Sequence, residues 1–202
     1  MFSLLYGLLS YLFRRDEYHV LLLGADNGGK TTLLERLKTL YTSEQGLPPD
    51  KVLPTVGLNI ARVTVSGSKL ILWDLGGAAG LRSIWRNYYD EAHAVVFVAD
   101  ASEGDDERWA DAARAVDDVL AADELDGAPL LVLANKKDVR GAMGEEDTWA
   151  LLGLRGRPRD RATRVQAVSA LRGDGVEEAV GWMVEAVKAA GRTSTIRVSR
   201  NN

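Results

Sequence analysis

Four short stretches of this 202-residue chain hold residue types and spacings that could do chemistry. Gly24-Ala25-Asp26-Asn27-Gly28-Gly29-Lys30-Thr31 fits G-x-x-x-x-G-K-[ST], a loop that wraps phosphates. Its glycines let the backbone curl so that successive N–H groups point inward, and a following helix N-terminus adds positive potential there. In such a loop Lys30 reaches the β- and γ-phosphates, and the Thr31 hydroxyl takes a place on magnesium. The bland alternative is a glycine-rich turn that binds nothing, and the flanking strand and helix weigh against it. Asp74-Leu75-Gly76-Gly77 follows an apolar run, where a second magnesium-organising carboxylate belongs. There Gly77 lets a backbone N–H approach a γ-phosphate closely. Alone, D-x-x-G is a weak signal, because aspartate and glycine are common turn residues.

Asn135-Lys136-Lys137-Asp138 is far more specific. Asp138 could accept the N1–H and exocyclic N2 protons of guanine. Adenine presents a lone pair at N1 instead, and a carboxylate rejects it by leaving polar groups unpaired. Lys136 would lie along the base and Asn135 would brace neighbouring loops. Ser169-Ala170-Leu171 then stands where a backbone N–H can touch the guanine carbonyl oxygen.

The elements that must position these residues follow from periodicity. Tyr18–Leu23 reads as a buried strand before the phosphate loop, and Thr32–Leu37 as a helix after it. Thr42–Asp50, with Pro48-Pro49, reads as a flexible connection. Val63–Val65, the turn Ser66-Gly67-Ser68 and Leu70–Trp73 read as a hairpin, with the returning strand ending at Asp74. A hairpin among βα units implies a mixed sheet. Val95–Val98, Leu130–Ala134 and Val165–Val168 are further strands, while Asp105–Leu120 and Gly175–Ala190 are helices.

Composition sets the bounds. A 46% hydrophobic and 27% charged chain is an ordinary globule of one domain. A net charge of -4 argues against a nucleic-acid partner, and zero cysteines exclude disulfides and thiol metal sites. His19 and His93 read as structural, having no metal-ligating companions. Arg155, Arg157, Arg159, Arg161 and Arg164 read as a solvated loop, with a lipid-facing patch as the second reading. The tail after Gly191 is polar, lacks a C-a-a-X ending and reads as disordered.

Met1–Phe13 is strongly apolar, with Ser3, Gly7 and Ser10 on one narrow helical face. At ~1.5 Å per residue such a helix is about 20 Å long, too short to span a bilayer. Arg14-Arg15 follow the apolar run, against signal-peptide order, and Phe2 excludes N-myristoylation. A core helix, an interfacial membrane anchor, and a helix alternating between the two all remain open.

Together, Gly24-x4-Gly29-Lys30-Thr31, Thr55, Asp74-x-x-Gly77, Asn135-Lys136-x-Asp138 and Ser169-Ala170 resemble the small GTPases over roughly residues 18–190. Pro54-Thr55-Val56-Gly57-Leu58-Asn59, Trp73-Asp74-Leu75-Gly76-Gly77 and Trp85-Arg86-Asn87-Tyr88-Tyr89 resemble the Arf/Arf-like branch, as does the N-terminal amphipathic helix. Met1-Phe2, Asp16-Glu17-Tyr18 and Gly181-Trp182-Met183-Val184 are similar to its Golgi Arf-related subfamily. The resemblance implies an α/β fold of the P-loop NTPase type. This is a small G-domain with a six-stranded mixed sheet between helices (18–190), an N-terminal amphipathic helix (1–17) and a polar tail (191–202). It implies GTP or GDP at Gly24, Asp26, Asn27, Gly28, Gly29, Lys30, Thr31, Thr32, Thr55, Gly77, Asn135, Lys136, Asp138, Ser169, Ala170 and Leu171. Mg2+ would be held by Thr31 and Thr55, and by Asp74 through water. Hydrolysis would use Lys30, Thr55, Gly77 and the residue at position 78.

The resemblance also implies switch I around Gly46–Ile60, switch II over Gly76–Tyr89, and a hairpin, Ile60–Leu72, that slides on GTP binding. That sliding would release residues 1–13 to a membrane surface, which resolves the ambiguity of the apolar helix. A monomer at the cytosol and cytosolic Golgi face is implied. Its implied partners are an exchange factor, an activating protein, effectors and a Golgi membrane receptor.

One position departs from the pattern: the family places a water-orienting glutamine after Gly77, and here stands Ala78, followed by Ala79 and Gly80. Alanine cannot polarise water, so intrinsic hydrolysis should be slow while binding is untouched. Three functional readings compete: a cycling GTPase, a GTP-locked membrane-recruitment module, and a P-loop kinase or ATPase in which Asn135-Lys136-x-Asp138 is coincidental.

Overall fold

The computed structural model describes residues 16–157 and 160–192. Residues 1–15 of the expected N-terminal helix and 193–202 of the polar tail therefore lie outside the described residues. Glu17, expected in that helix, already begins a strand, and Arg192, expected in the tail, bonds the Ala92, Asp126 and Glu124 carbonyls. Six strands form one sheet: β1 (Glu17–Leu23), β2 (Leu58–Val65), β3 (Ser68–Leu75), β4 (Ala94–Asp100), β5 (Leu130–Asn135) and β6 (Thr163–Ala167). Their order is β2-β3-β1-β4-β5-β6, with β2 antiparallel to β3 and all other pairs parallel. The helices are α1 (Lys30–Tyr41), α2 (Asp106–Leu120), α3 (Glu145–Leu151) and α4 (Val176–Ala190).

The alternation of side chains along β1 shows why this sheet has two covered faces. Leu21 and Leu23 join a core with Phe97, Val132, Trp109 and Val116 from α2. Val20 and Leu22 point the other way, to Leu33 and Leu37 of α1 and Val180 and Val184 of α4. The hairpin turns on Ser66 and Gly67 alone, at φ 47° and 79°, the pair of positive values of a type I′ turn. Ser68, expected in the turn, is already strand.

Several expectations are corrected. Strand β3 runs one residue past Asp74, to Leu75. The stretch Ala79–Glu91 forms successive 3-10 turns, and the seven-residue helix α3 had no sequence signal strong enough to announce it. Arg161 is buried rather than solvated, with Nη1 donating to the Leu125 carbonyl at 3.1 Å. Arg155, Arg157 and Arg164 are paired with Glu146, Asp117 and Glu178, so they form no free basic patch. Arg159 lies outside the described residues.

His19 and His93 meet at the end of the sheet opposite the motif loops. The His19 N–H donates to His93 Nδ1 at 3.0 Å, and the His19 ring lies 4.7 Å from Trp73. Burial first, then the His19 and Arg192 charges, pull the His93 imidazole down to about 4. The folded chain therefore binds fewer protons here than the unfolded one. Its stability is complete above about pH 6.5 and falls toward pH 4, by about 3 kcal/mol in all. Urea titrations of His93→Asn, which keeps an acceptor for the His19 N–H, should lose that portion of the acid sensitivity. An unchanged pH profile would contradict it.

Candidate nucleotide and magnesium site

All four motifs end strands of the parallel part of the sheet, so they converge on one rim, where open α/β sheets place ligands. The phosphate loop leaves β1 at Gly24, whose φ is 140°. A Cβ there would lie 2.2 Å from the Val98 carbonyl oxygen, so no larger residue fits between the strands. Helix α1 starts at Lys30 without a side-chain cap, which leaves its first N–H groups for a ligand. Lys30 is only 6% exposed, and its Nζ donates to Gly24 O at 3.0 Å and Ala25 O at 2.8 Å. Burial draws its pKa below the ordinary lysine range, against the opposing pull of Asp74 and Asp26. A phosphate would restore the charge that burial disfavours.

Three oxygens gather at Thr31, the residue that follows Lys30. Thr31 Oγ1 donates to Asp74 Oδ2 at 2.7 Å, Thr55 Oγ1 approaches the same oxygen at 3.1 Å, and the two hydroxyls are 2.8 Å apart. Asp74 is fully buried, and its Oδ1 has no hydrogen-bond partner. Burial raises its pKa, while the two threonine hydroxyls and Lys30 pull the other way. A buried carboxylate with an unpaired oxygen beside two hydroxyls suits a hard, oxygen-seeking cation such as magnesium. The Gly76 N–H donates to Gly57 O at 3.0 Å, tying the Thr55 loop to the end of β3.

Gly77 is pressed against the phosphate loop. A Cβ on it would sit 2.3 Å from Lys30 Nζ and 2.6 Å from Gly24 O, so only glycine permits this approach. Ala78 beside it is exposed and lines a cavity of about 380 Å³ with Asp26, Asn27, Gly77 and Arg82.

On the base side, Asn135 is buried. Its Nδ2 donates to Gly28 O at 2.8 Å and its Oδ1 accepts the Ala170 N–H at 2.9 Å, so it joins the phosphate loop to the Ser169-Ala170-Leu171 loop. Asp138 accepts from Ser169 Oγ, which in turn takes the Arg172 N–H at 3.0 Å. Lys136, at φ 68°, pairs through Nζ with Asp100 Oδ2 at 2.6 Å. Thr32, Ala170 and Leu171 lie together on the wall of a second cavity, of about 540 Å³, between α1 and the loop Gln45–Pro49.

Three supporting residues escaped the sequence reading. Asp100 ends β4 opposite Asn135 in register, a strand-terminal carboxylate whose position resembled that of Asp74. Arg36 bonds the Ala170 carbonyl at 3.2 Å and the Leu171 carbonyl, fastening the base loop to α1. Buried Glu35 accepts the Leu47 N–H at 2.8 Å and holds the start of the Thr55 loop.

Comparison with known proteins agrees with this geometry. Residues 5–187 match the ADP-ribosylation factor family. ADP-ribosylation factor-related protein 1 of Bos taurus is 43% identical over 189 residues, covering 93% of each chain. ADP-ribosylation factor-like protein 3 of Saccharomyces cerevisiae is 37% identical over 187 residues, 91% of this chain and 92% of that one. Among solved structures, the Arl6 BBS3 small GTPase of Trypanosoma brucei, with the bound nucleotide analogue GppNp, superposes with a TM-score of 0.74. It is 29% identical and covers 86% of this chain and 99% of its own. This chain belongs to the Arf family of small GTPases.

Proposed function

We propose that this Arf-family switch binds GTP and GDP with Mg2+ at the rim described above and hydrolyses GTP slowly. Lys30 and the N–H groups around Gly28 and Gly29 would take the phosphates, while Asp138, Lys136 and the Ala170 loop take the guanine. Magnesium would be held by Thr31 and Thr55, with Asp74 acting through water, and would neutralise phosphate charge. The observation that carries the reading is the meeting of Thr31, Thr55 and Asp74 beside Gly77 and Lys30, which brings both switch loops onto the phosphate loop. The bound GppNp of the Trypanosoma relative, a guanosine triphosphate analogue, supports a guanine nucleotide as the ligand.

Residues 1–13 would leave the body of the protein for a membrane surface when GTP is bound, bringing the chain to the cytosolic Golgi face. An exchange factor, an activating protein, effectors and a Golgi receptor would act on it there. Leu53 and Val56, 77% and 88% exposed in the Thr55 loop, give an effector an apolar face to grip. Among the described residues no helix is long and apolar enough to cross a membrane. A second reading, a GTP-locked recruiter with negligible turnover, is favoured by one observation: exposed Ala78 offers no side-chain polar atom to a water.

Removing magnesium with a chelator tests the metal assignment. Release of fluorescent GDP should quicken by about a hundredfold, since the cation neutralises phosphate charge held beside a buried carboxylate. An unchanged rate would take Thr31, Thr55 and Asp74 out of that role.

A further inference from the structure

The loop at Gly76-Gly77 is held by side chains that follow it in the chain. Arg82 folds back from the first 3-10 turns, and its Nε donates to the Gly77 carbonyl at 3.0 Å. Its two terminal nitrogens meet both carboxylate oxygens of Asp111 on α2, Nη1 to Oδ1 at 3.0 Å. The guanidinium lies 5.8 Å from the Trp85 ring centroid, and Trp85 Nε1 donates to the neighbouring Gly76 carbonyl at 3.0 Å. Two successive carbonyls of the loop are thus fastened from the same side. The outer anchor is firm, because α2 is set into the core by Trp109, Ala112 and Val116.

We propose that the Arg82–Asp111 pair is a state-selective clamp: it positions Gly77 for the γ-phosphate and thereby favours bound triphosphate over diphosphate. The inference rests on the GTP-switch reading above. An isolated surface ion pair would be too weak for this, but the pair here is bidentate, carries a third bond to backbone and is partly shielded. The Arg82 hydrogen bonds hold the Asp111 carboxyl below the usual carboxylate range, with Arg114 adding a weaker pull from 3.6 Å. Gly77 cannot contribute a side chain to this contact, and Ala78 has no polar group to give it. Orientation of the Gly77 peptide therefore depends on what grips its carbonyl. A loop already held in place gives a γ-phosphate its N–H without a further ordering cost. A diphosphate has no group at that corner, so loosening the clamp should leave its affinity almost unchanged.

Release of fluorescent GDP and of a non-hydrolysable fluorescent GTP analogue, measured on the full chain, tests this positioning role. Asp111→Asn keeps the shape without the charge, and Arg82→Lys keeps the charge without the fork. Each should quicken release of the GTP analogue by about tenfold while GDP release stays within about twofold, and the double variant should be no worse than either single one. If Arg82→Lys folds poorly, Asp111→Asn, half-exposed on its helix, carries the test alone. Equal acceleration of both nucleotides would reduce the pair to general structural support and overturn the clamp, as would no acceleration of either. Failure of the unsubstituted chain to retain any guanine nucleotide would instead overturn the GTP-switch reading on which it rests.

Discussion

Replacing Ala78 with glutamine should speed single-turnover GTP hydrolysis by about a hundredfold, the scale of one well-placed group acting on a reacting water. The site for such a group exists. Ala78 follows directly on Gly77, is exposed, and opens onto the cavity shared with Asp26, Asn27 and Arg82. The other contacts assigned to the phosphates and their magnesium come from the N–H groups around Gly28 and Gly29, Lys30, Thr31, Thr55 and Gly77, none of which the substitution replaces. Affinity for GTP should therefore be unchanged while turnover rises. A rate unaffected by glutamine would mean that position 78 does not face the attacking water, and a loss of affinity would mean that the loop around Gly77 has been displaced.

Asp138→Asn should lower GTP affinity by about three orders of magnitude, because two hydrogen bonds from guanine to a charged acceptor contribute roughly 1.5–3 kcal/mol each. The carboxylate is half-buried and aimed by the Ser169 hydroxyl, so it cannot swing away to water without breaking that bond. An amide at this position turns an N–H2 group toward guanine's own N–H groups and leaves donors facing donors. Xanthine, which carries a carbonyl where guanine has its exocyclic amine, should recover part of the loss. Full retention of GTP affinity by this variant would remove Asp138 from base recognition.

What could be read along the chain were features whose physics is local. The curl at Gly24 to Thr31, the hairpin at Ser66-Gly67, the alternation of β1 and the strand-terminal Asn135-Lys136-x-Asp138 each lie within a few residues. The structure places each at the expected end of the expected strand, in the expected six-stranded mixed sheet. What escaped were pairings closed by the fold across long separations. Arg36 meets Ala170 across 134 positions, Lys136 meets Asp100 across 36, and Arg82 meets Asp111 across 29. No pattern of neighbours announces such pairs, since an arginine on a helix reads as a solvated charge until another element arrives beside it. Arg161 misled for that reason: four other arginines nearby suggested a wet loop, while the Leu125 carbonyl waited inside. Helix α3 was missed because seven residues, Glu145–Leu151, give too few turns for a periodic signal.

Isothermal calorimetry of the purified chain in magnesium, with GTP and ATP as separate titrants, probes the central claim most directly. The account predicts tight binding of GTP and binding of ATP weaker by at least about a thousandfold, since adenine leaves the Asp138 carboxylate and its own N1 unsatisfied. Equal affinity for the two nucleotides, or binding of neither, would contradict it.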